Sequence, residues 1–118
     1  MIEERMIIRL PMPPHGVNMA TEPTHHGGRR KVPESRAWEE GIAILLGGWT
    51  PPAQTPLEVI ITLEFPKKLF RTVDADKWAA VVSDAVIGAR RDQWIDRQIS
   101  IKTIGEGWAT VEVTWCHE

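Results

Sequence analysis

The sequence predicts an α+β fold with a single mixed β-sheet of about four strands and two helices packed on it, in the order β-α-β-α-β-β. Two segments with apolar residues at helical spacing are interspersed with segments in which apolar and polar residues alternate. The last two alternating segments are separated only by Gly105-Glu106-Gly107, which is typical of a hairpin turn. At 118 residues the chain has the size of one domain, so residues 1–118 are interpreted as a single domain.

The first strand is predicted over residues 5–10, a short apolar run that ends at Pro11. Residues 11–33 follow, and they are rich in Pro, Gly, His, Thr and basic side chains without an apolar period. Because a structureless stretch of this length inside a compact domain is usually functional or disordered, it is interpreted as a long loop and a candidate binding segment.

The first helix is predicted to begin near Pro33, with Ser35 as its N-cap, and to end at Gly47. A Pro-rich connector over residues 50–56 leads to the clearest strand, residues 57–65, in which every second residue is apolar. The assignment of the first helix depends on four apolar side chains at helical spacing, namely Trp38, Ile42, Leu45 and Leu46.

The second helix is predicted from about Asp74 to Ala89, with Gly88 at its frayed end. Two alternating segments, residues 98–104 and 109–115, then form the closing hairpin. The evidence for the second helix is a set of apolar residues at i, i+3, i+4, i+7 and i+8, namely Trp78, Val81, Val82, Ala85 and Val86.

Composition excludes several function classes. No apolar run reaches the roughly 18 residues of a membrane span, and the charged N-terminus is unlike a signal peptide, so we expect a cytoplasmic protein without membrane contact. The single cysteine, Cys116, can form neither an internal disulfide nor a cysteine-based zinc site. A net charge of −2 argues against strong nonspecific DNA binding and is compatible with a local basic surface.

The aspartates are concentrated in one part of the chain. Asp74 and Asp76 lie where the second helix starts, and they converge if Asp74 is extended and Asp76 is in the first turn. Two such carboxylates suit Mg²⁺, or Mn²⁺, which also takes water and phosphate oxygens. The alternative is that both aspartates only cap the helix, where they satisfy free N–H groups. All five aspartates lie within residues 74–96: Asp74, Asp76, Asp84, Asp92 and Asp96.

A metal site there needs a third carboxylate, for which Asp96 and Asp92 are the candidates. Either approaches the start of the second helix only if the following strand pairs beside the preceding one. We prefer Asp96, because it lies directly before the alternating run and would be held by the sheet. Asp84 lies about 12 Å along the helix from Asp76 and is interpreted as a solvated helix residue.

Several segments resemble the RusA-type Holliday junction resolvases, small endonucleases often found in phages and prophages. The run Leu10-Pro11-Met12-Pro13-Pro14, with Asn18 nearby, is similar to the family's opening segment. The run Asp74-Ala75-Asp76-Lys77-Trp78, followed by Asp84-Ala85-Val86, resembles its DxD helix with the same spacing, and Asp96-Arg97-Gln98-Ile99 resembles the segment that leads into its next strand. The resemblance covers nearly the whole chain, and the DxD helix is its specific part.

The resemblance implies a homodimer that binds four-way or branched DNA and cuts it by Mg²⁺-dependent phosphodiester hydrolysis, in DNA recombination and repair. It implies Asp74, Asp76 and Asp96 as catalytic and metal-binding residues, with Asp92 as the alternate third ligand.

Two departures from the family pattern leave other functions open. Ile95 stands where the family has the first of two aspartates, and Ala80 stands where many members have Lys or Arg. A catalytically weakened protein that binds DNA junctions is therefore one alternative. If the aspartates are only caps and surface charges, the chain is a small α+β interaction protein without nuclease activity.

Basic residues must frame an acidic site that binds DNA, because carboxylates alone repel phosphates. Any one of them is equally well explained as a solubilising surface charge. The candidates lie on both sides of the aspartates and in the long loop: Lys67, Lys68, Arg71, Lys77, Arg90, Arg91, Arg97, Arg29, Arg30 and Lys31.

Overall fold

The computed structural model describes residues 1–16, 21–25, 27–88 and 91–117. The predicted α+β class is confirmed, since four strands form one mixed sheet that is accompanied by two helices. A 3₁₀ turn over Asp92–Trp94 precedes the fifth strand. In chain order the elements are β1 (Ile2–Pro11), β2 (Thr21–Pro23), β3 (Arg29–Lys31), α1 (Pro33–Leu46), β4 (Leu57–Phe65), α2 (Ala75–Val86), β5 (Ile95–Ile104) and β6 (Trp108–His117).

The main sheet has the strand order β1-β6-β4-β5. β6 is antiparallel to both β1 and β4, whereas β4 and β5 are parallel. A parallel pair needs a crossover, and α2 supplies it. Leu57 therefore lies opposite Ile95 where both strands begin, and Phe65 lies opposite Ile104 where both strands end. α2 begins near this second end.

The core lies between one face of this sheet and the helices. The odd-numbered residues of β4 are all buried, as its alternating pattern predicts. They pack with the apolar stripe of α2 and with Ile42 of α1. The buried side chains of this cluster include Leu10, Leu57, Val59, Ile61, Leu63, Phe65, Ala79, Val82, Val86, Ala109, Val111 and Val113.

The start of α1 differs from the prediction. Val32, with an extended backbone (ψ 151°), is the N-cap and Pro33 is the first helical residue, so the prediction of Ser35 as N-cap was wrong. Pro is favoured at this position because its fixed φ suits the helix and it has no N–H to satisfy. Ser35 lies in the first turn and is buried, and its hydroxyl has no hydrogen-bond partner among the described residues. The predicted end at Gly47 is confirmed by its left-handed φ of 58°.

Other elements also differ from the prediction. α2 ends at Val86, because Gly88 adopts a φ of +92°; Ala89 lies outside the described residues. β5 begins at Ile95, so Asp96 lies within the strand and not before it. The long loop carries a small antiparallel hairpin of β2 and β3.

Candidate functional site

Asp74 and Asp76 occupy the first turn of α2 in the arrangement that the sequence predicts. Asp74 is the N-cap, with an extended backbone (φ −91°, ψ 102°), and its Oδ1 accepts a hydrogen bond from the Asp76 N–H at 3.1 Å. Both side chains are exposed. The capping interpretation is thus realised by Asp74, while the Asp76 carboxylate takes no part in that cap.

A basic turn lies directly before this pair. Lys67, Lys68 and Arg71 are exposed on residues 66–73, a segment closed by backbone bonds such as Leu69 N–H to the Pro66 carbonyl at 2.9 Å. Lys77 is exposed in the first turns of α2. Four predicted DNA-binding residues and two predicted metal ligands are therefore exposed within residues 67–77, around the start of α2.

Lys102 of β5 hydrogen-bonds to the backbone of the basic turn. Its Nζ donates to the Phe70 carbonyl at 2.6 Å and to the Val73 carbonyl at 3.4 Å, and it lies 4.8 Å from the centroid of the Phe70 ring. The alternating pattern of β5 predicts the strand but not this contact. The ammonium group orders the segment that ends at Asp74.

Lys102→Met is expected to loosen the basic turn, because it keeps the aliphatic stem and removes both hydrogen bonds. Amide hydrogen exchange, followed by mass spectrometry, should accelerate about tenfold in residues 66–73 and stay unchanged in β4. Lys68→Met is the matched control, since the Lys68 side chain is exposed. Equal protection in both variants would contradict the assigned role of Lys102.

The structure does not bring Asp96 to Asp74 and Asp76 within one chain. β5 does pair beside β4, as the sequence argument required, but the parallel direction places the start of β5 beside the start of β4. Asp96 lies there, at a bulge between Ile95 and Arg97, and lines a cavity that also includes Glu58. The part of α2 from Asp76 to its end at Val86 accounts for about 15 Å of helical rise between Asp76 and Asp96.

Asp92 also lies at the far end of α2, on the turn before β5. In residues 1–16, 21–25, 27–88 and 91–117, no three or more His, Cys, Asp or Glu side chains form a group that could hold a metal ion. The described residues of one chain thus place two aspartates, Asp74 and Asp76, at the start of α2.

Asp92 instead faces Asp84 across a cleft of about 550 Å³ between α2 and the start of β5. Ser83 and Gln98 tie the two elements together through a hydrogen bond of 3.2 Å from the Ser83 hydroxyl to the Gln98 side-chain oxygen. Ala80 lines the same cleft, and its small side chain leaves the space open. Sequence reasoning missed this cleft, although Ala80, Ser83 and Asp84 share one helix face at i, i+3 and i+4.

The carboxyl group of Asp84 is electrostatically unfavourable in its charged form. Burial raises its pKa above the ordinary value of 3.8, and the negative charges of Asp92 and Glu39 add to this effect, while Lys31 opposes it. Because the folded state holds this proton more tightly than the unfolded state, stability falls as the pH rises through the window above 3.8.

Asp84→Asn is therefore expected to stabilise the protein at neutral pH. Since the side chain is only partly buried, solvent screening limits the gain to about 0.5 kcal/mol in the free energy of unfolding. Urea unfolding at pH 7 and at pH 3 checks this, because the gain should vanish at pH 3, where both proteins are neutral at this position. A gain of equal size at both values would show that charge is not its cause.

The other predicted DNA-binding residues that the structure describes lie on different elements from Asp74 and Asp76. In the β2–β3 hairpin, Arg30 Nε contacts Glu22 Oε1 at 2.9 Å and Lys31 contacts Glu39 of α1; Arg29 lies on the same strand. Arg91 donates to the Pro51 carbonyl. Arg97 lies in β5 opposite Glu58, and Arg90 lies outside the described residues.

Comparison with known proteins adds no relative. No protein-family model matches the chain, and no curated protein matches it significantly. The resemblance to RusA-type resolvases accordingly depends on the quoted motifs. Among the described residues, no helix has the length and apolar character that crossing a membrane requires.

Proposed function

We propose that this protein is a Mg²⁺-dependent endonuclease that acts on branched or four-way DNA as a homodimer in the cytoplasm. One observation carries the proposal: the Asp74–Asp76 turn and the basic turn of residues 66–73 lie side by side at the start of α2. Acidic groups for a cation next to basic groups for phosphates are what phosphodiester hydrolysis requires.

The carboxylates present fit a Mg²⁺ ion. Asp74 uses Oδ1 for the helix cap, which leaves its second oxygen, and the Asp76 side chain is exposed. Mg²⁺ is commonly held by one or two carboxylates and completes its shell with waters and substrate phosphate oxygens. When bound, such an ion lowers the pKa of a water ligand and stabilises charge on the phosphoryl oxygens.

The remaining residues around the start of α2 bind and orient the substrate. Lys67, Lys68 and Arg71 neutralise phosphates on both sides of the bond to be cut, and Lys102 holds their turn in place. Recognition of branched over linear DNA follows if these charges contact phosphates of two arms at once.

A catalytically weakened junction-binding protein is the second candidate. The separation of Asp96 and Asp92 from Asp76 favours it, since neither of these two predicted third ligands then joins Asp74 and Asp76 within one chain. The basic turn persists in this case, so DNA binding is retained while cleavage is slow.

Incubation with a synthetic four-way junction, with and without Mg²⁺, tests the proposal. Paired symmetric nicks that require Mg²⁺ support the nuclease, and binding without nicks supports the second candidate. Absence of both would leave an interaction protein. Comparison of Asp96→Asn with Asp92→Asn shows which carboxylate, if either, contributes to cleavage.

A further inference from the structure

The two edges of the main sheet differ in how well they are protected from pairing with another strand. β5 has a bulge at Asp96 and a charged side chain, Lys102, on its helix face. Bulges and inward-pointing charges are two features that prevent edge-to-edge pairing. The β5 edge is therefore a poor template for a further strand.

β1 has no bulge, and the one charged side chain on its helix face, Glu4, is exposed. It runs for ten residues and keeps one register with β6 from Ile2 to Pro11 without a shift. Within the described residues, no backbone group outside β6 hydrogen-bonds to β1. Ile2 and Ile7 are 57% and 55% exposed. A long, regular and exposed edge of this kind is a template for another strand.

We infer that the β1 edge pairs antiparallel with the β1 edge of a second copy and forms a continuous eight-stranded sheet. Side chains on matching faces must meet, so the two-fold axis passes through one residue of β1. With the axis at Met6, Glu3 of each copy lies opposite Arg9 of the other.

The charges of β1 select this register. An axis at Arg5 would place Arg5 opposite itself, and an axis at Ile7 would place Arg5 opposite Arg9. Like charges directly opposite are destabilising, whereas opposite charges are favourable. The axis at Met6 avoids like pairs, forms two opposite pairs and joins residues 2–10 of both copies through about eight to ten backbone hydrogen bonds.

This inference rests on the homodimer of the proposed function and deepens it by naming the surface and the register. It does not depend on the proposed cleavage chemistry, because β1 lies at the edge of the sheet that is furthest from β5.

Sedimentation equilibrium of the full chain, without DNA or metal, tests the inference. We expect a mass of twice 13.3 kDa for the parent protein. Glu3→Arg places Arg opposite Arg in both symmetric pairs and should raise the dimer dissociation constant about tenfold. Arg9→Glu should act similarly, and Glu3→Arg combined with Arg9→Glu should restore the parent value within about twofold.

Glu106→Arg is the matched control. It makes the same change of charge as Glu3→Arg, but on the turn between β5 and β6 and not on β1. Arg9 also lies 4.5 Å from the Trp108 ring and 3.9 Å from Glu64, so thermal melting must show that Arg9→Glu is folded. The Glu3→Arg variant keeps both contacts and decides the question alone if Arg9→Glu does not fold. A monomeric parent protein would overturn the inference, and so would a dimer whose dissociation constant is unchanged by Glu3→Arg.

Cross-linking tests the register directly. In a Cys116→Ser background, Met6→Cys should form a disulfide-linked dimer under mild oxidation, because the two sulfurs meet at the axis. Ile2→Cys in the same background should not, since Ile2 lies opposite Leu10 of the other copy. Cross-linking of Ile2→Cys but not of Met6→Cys would refute this register.

Discussion

Asp76→Asn is expected to lower the rate of Mg²⁺-dependent cleavage of a four-way junction about a thousandfold. The change removes one anionic oxygen ligand and preserves size. A lost metal contact of several kcal/mol in the transition state corresponds to a rate loss of this order. Asp76 is exposed, and its backbone N–H still donates to Asp74 Oδ1 in the variant. The fold is therefore expected to remain intact, as a thermal melt would show.

Asp84→Asn is the matched control for this experiment, because it changes the same residue type at the other end of α2. Cleavage rates are measured on the same labelled junction at saturating Mg²⁺, together with junction affinity in a gel-shift assay. Asp76→Asn should bind the junction as the parent does. If Asp84→Asn abolished cleavage and Asp76→Asn did not, the metal would belong in the cleft of Asp84 and Asp92.

Leu63→Ala is expected to lower the free energy of unfolding by about 3 kcal/mol. Leu63 is fully buried in β4, between β6 and β5, on the face that packs against the helices. Loss of its buried methyl groups forfeits their transfer free energy and leaves a cavity that a central strand cannot close. Urea unfolding followed by circular dichroism measures the change.

Ile44→Ala is the control, since Ile44 is 81% exposed on α1. Truncation of an exposed side chain is expected to change stability by no more than about 0.5 kcal/mol. Similar losses for the two variants would contradict the assignment of the core to the helix-facing side of β4. This comparison is independent of any function of the protein.

The local patterns of the sequence predict most of the elements. The period of two over residues 57–65 corresponds to β4, with its odd-numbered side chains buried, and the apolar stripe of residues 78–86 corresponds to α2. The Asp74 cap was also predictable, because capping is an interaction between a side chain and a backbone N–H two or three residues away. The Ser35 cap was wrong because Pro33 starts the helix earlier.

Which side chains share a site was decided by pairing between distant segments. Nothing in the alternation of β5 indicates whether it runs parallel or antiparallel to β4, since both directions bury the same face. Because β5 runs parallel to β4, Asp96 lies where these strands begin, whereas Asp74 follows the end of β4. The turn that leads from α2 back to β5 forms the cleft of Asp84 and Asp92. The elements and their buried faces were therefore predictable from local patterns, because they depend on neighbours along the chain. The grouping of the aspartates was not, because it depends on strand direction and register between segments about 40 residues apart.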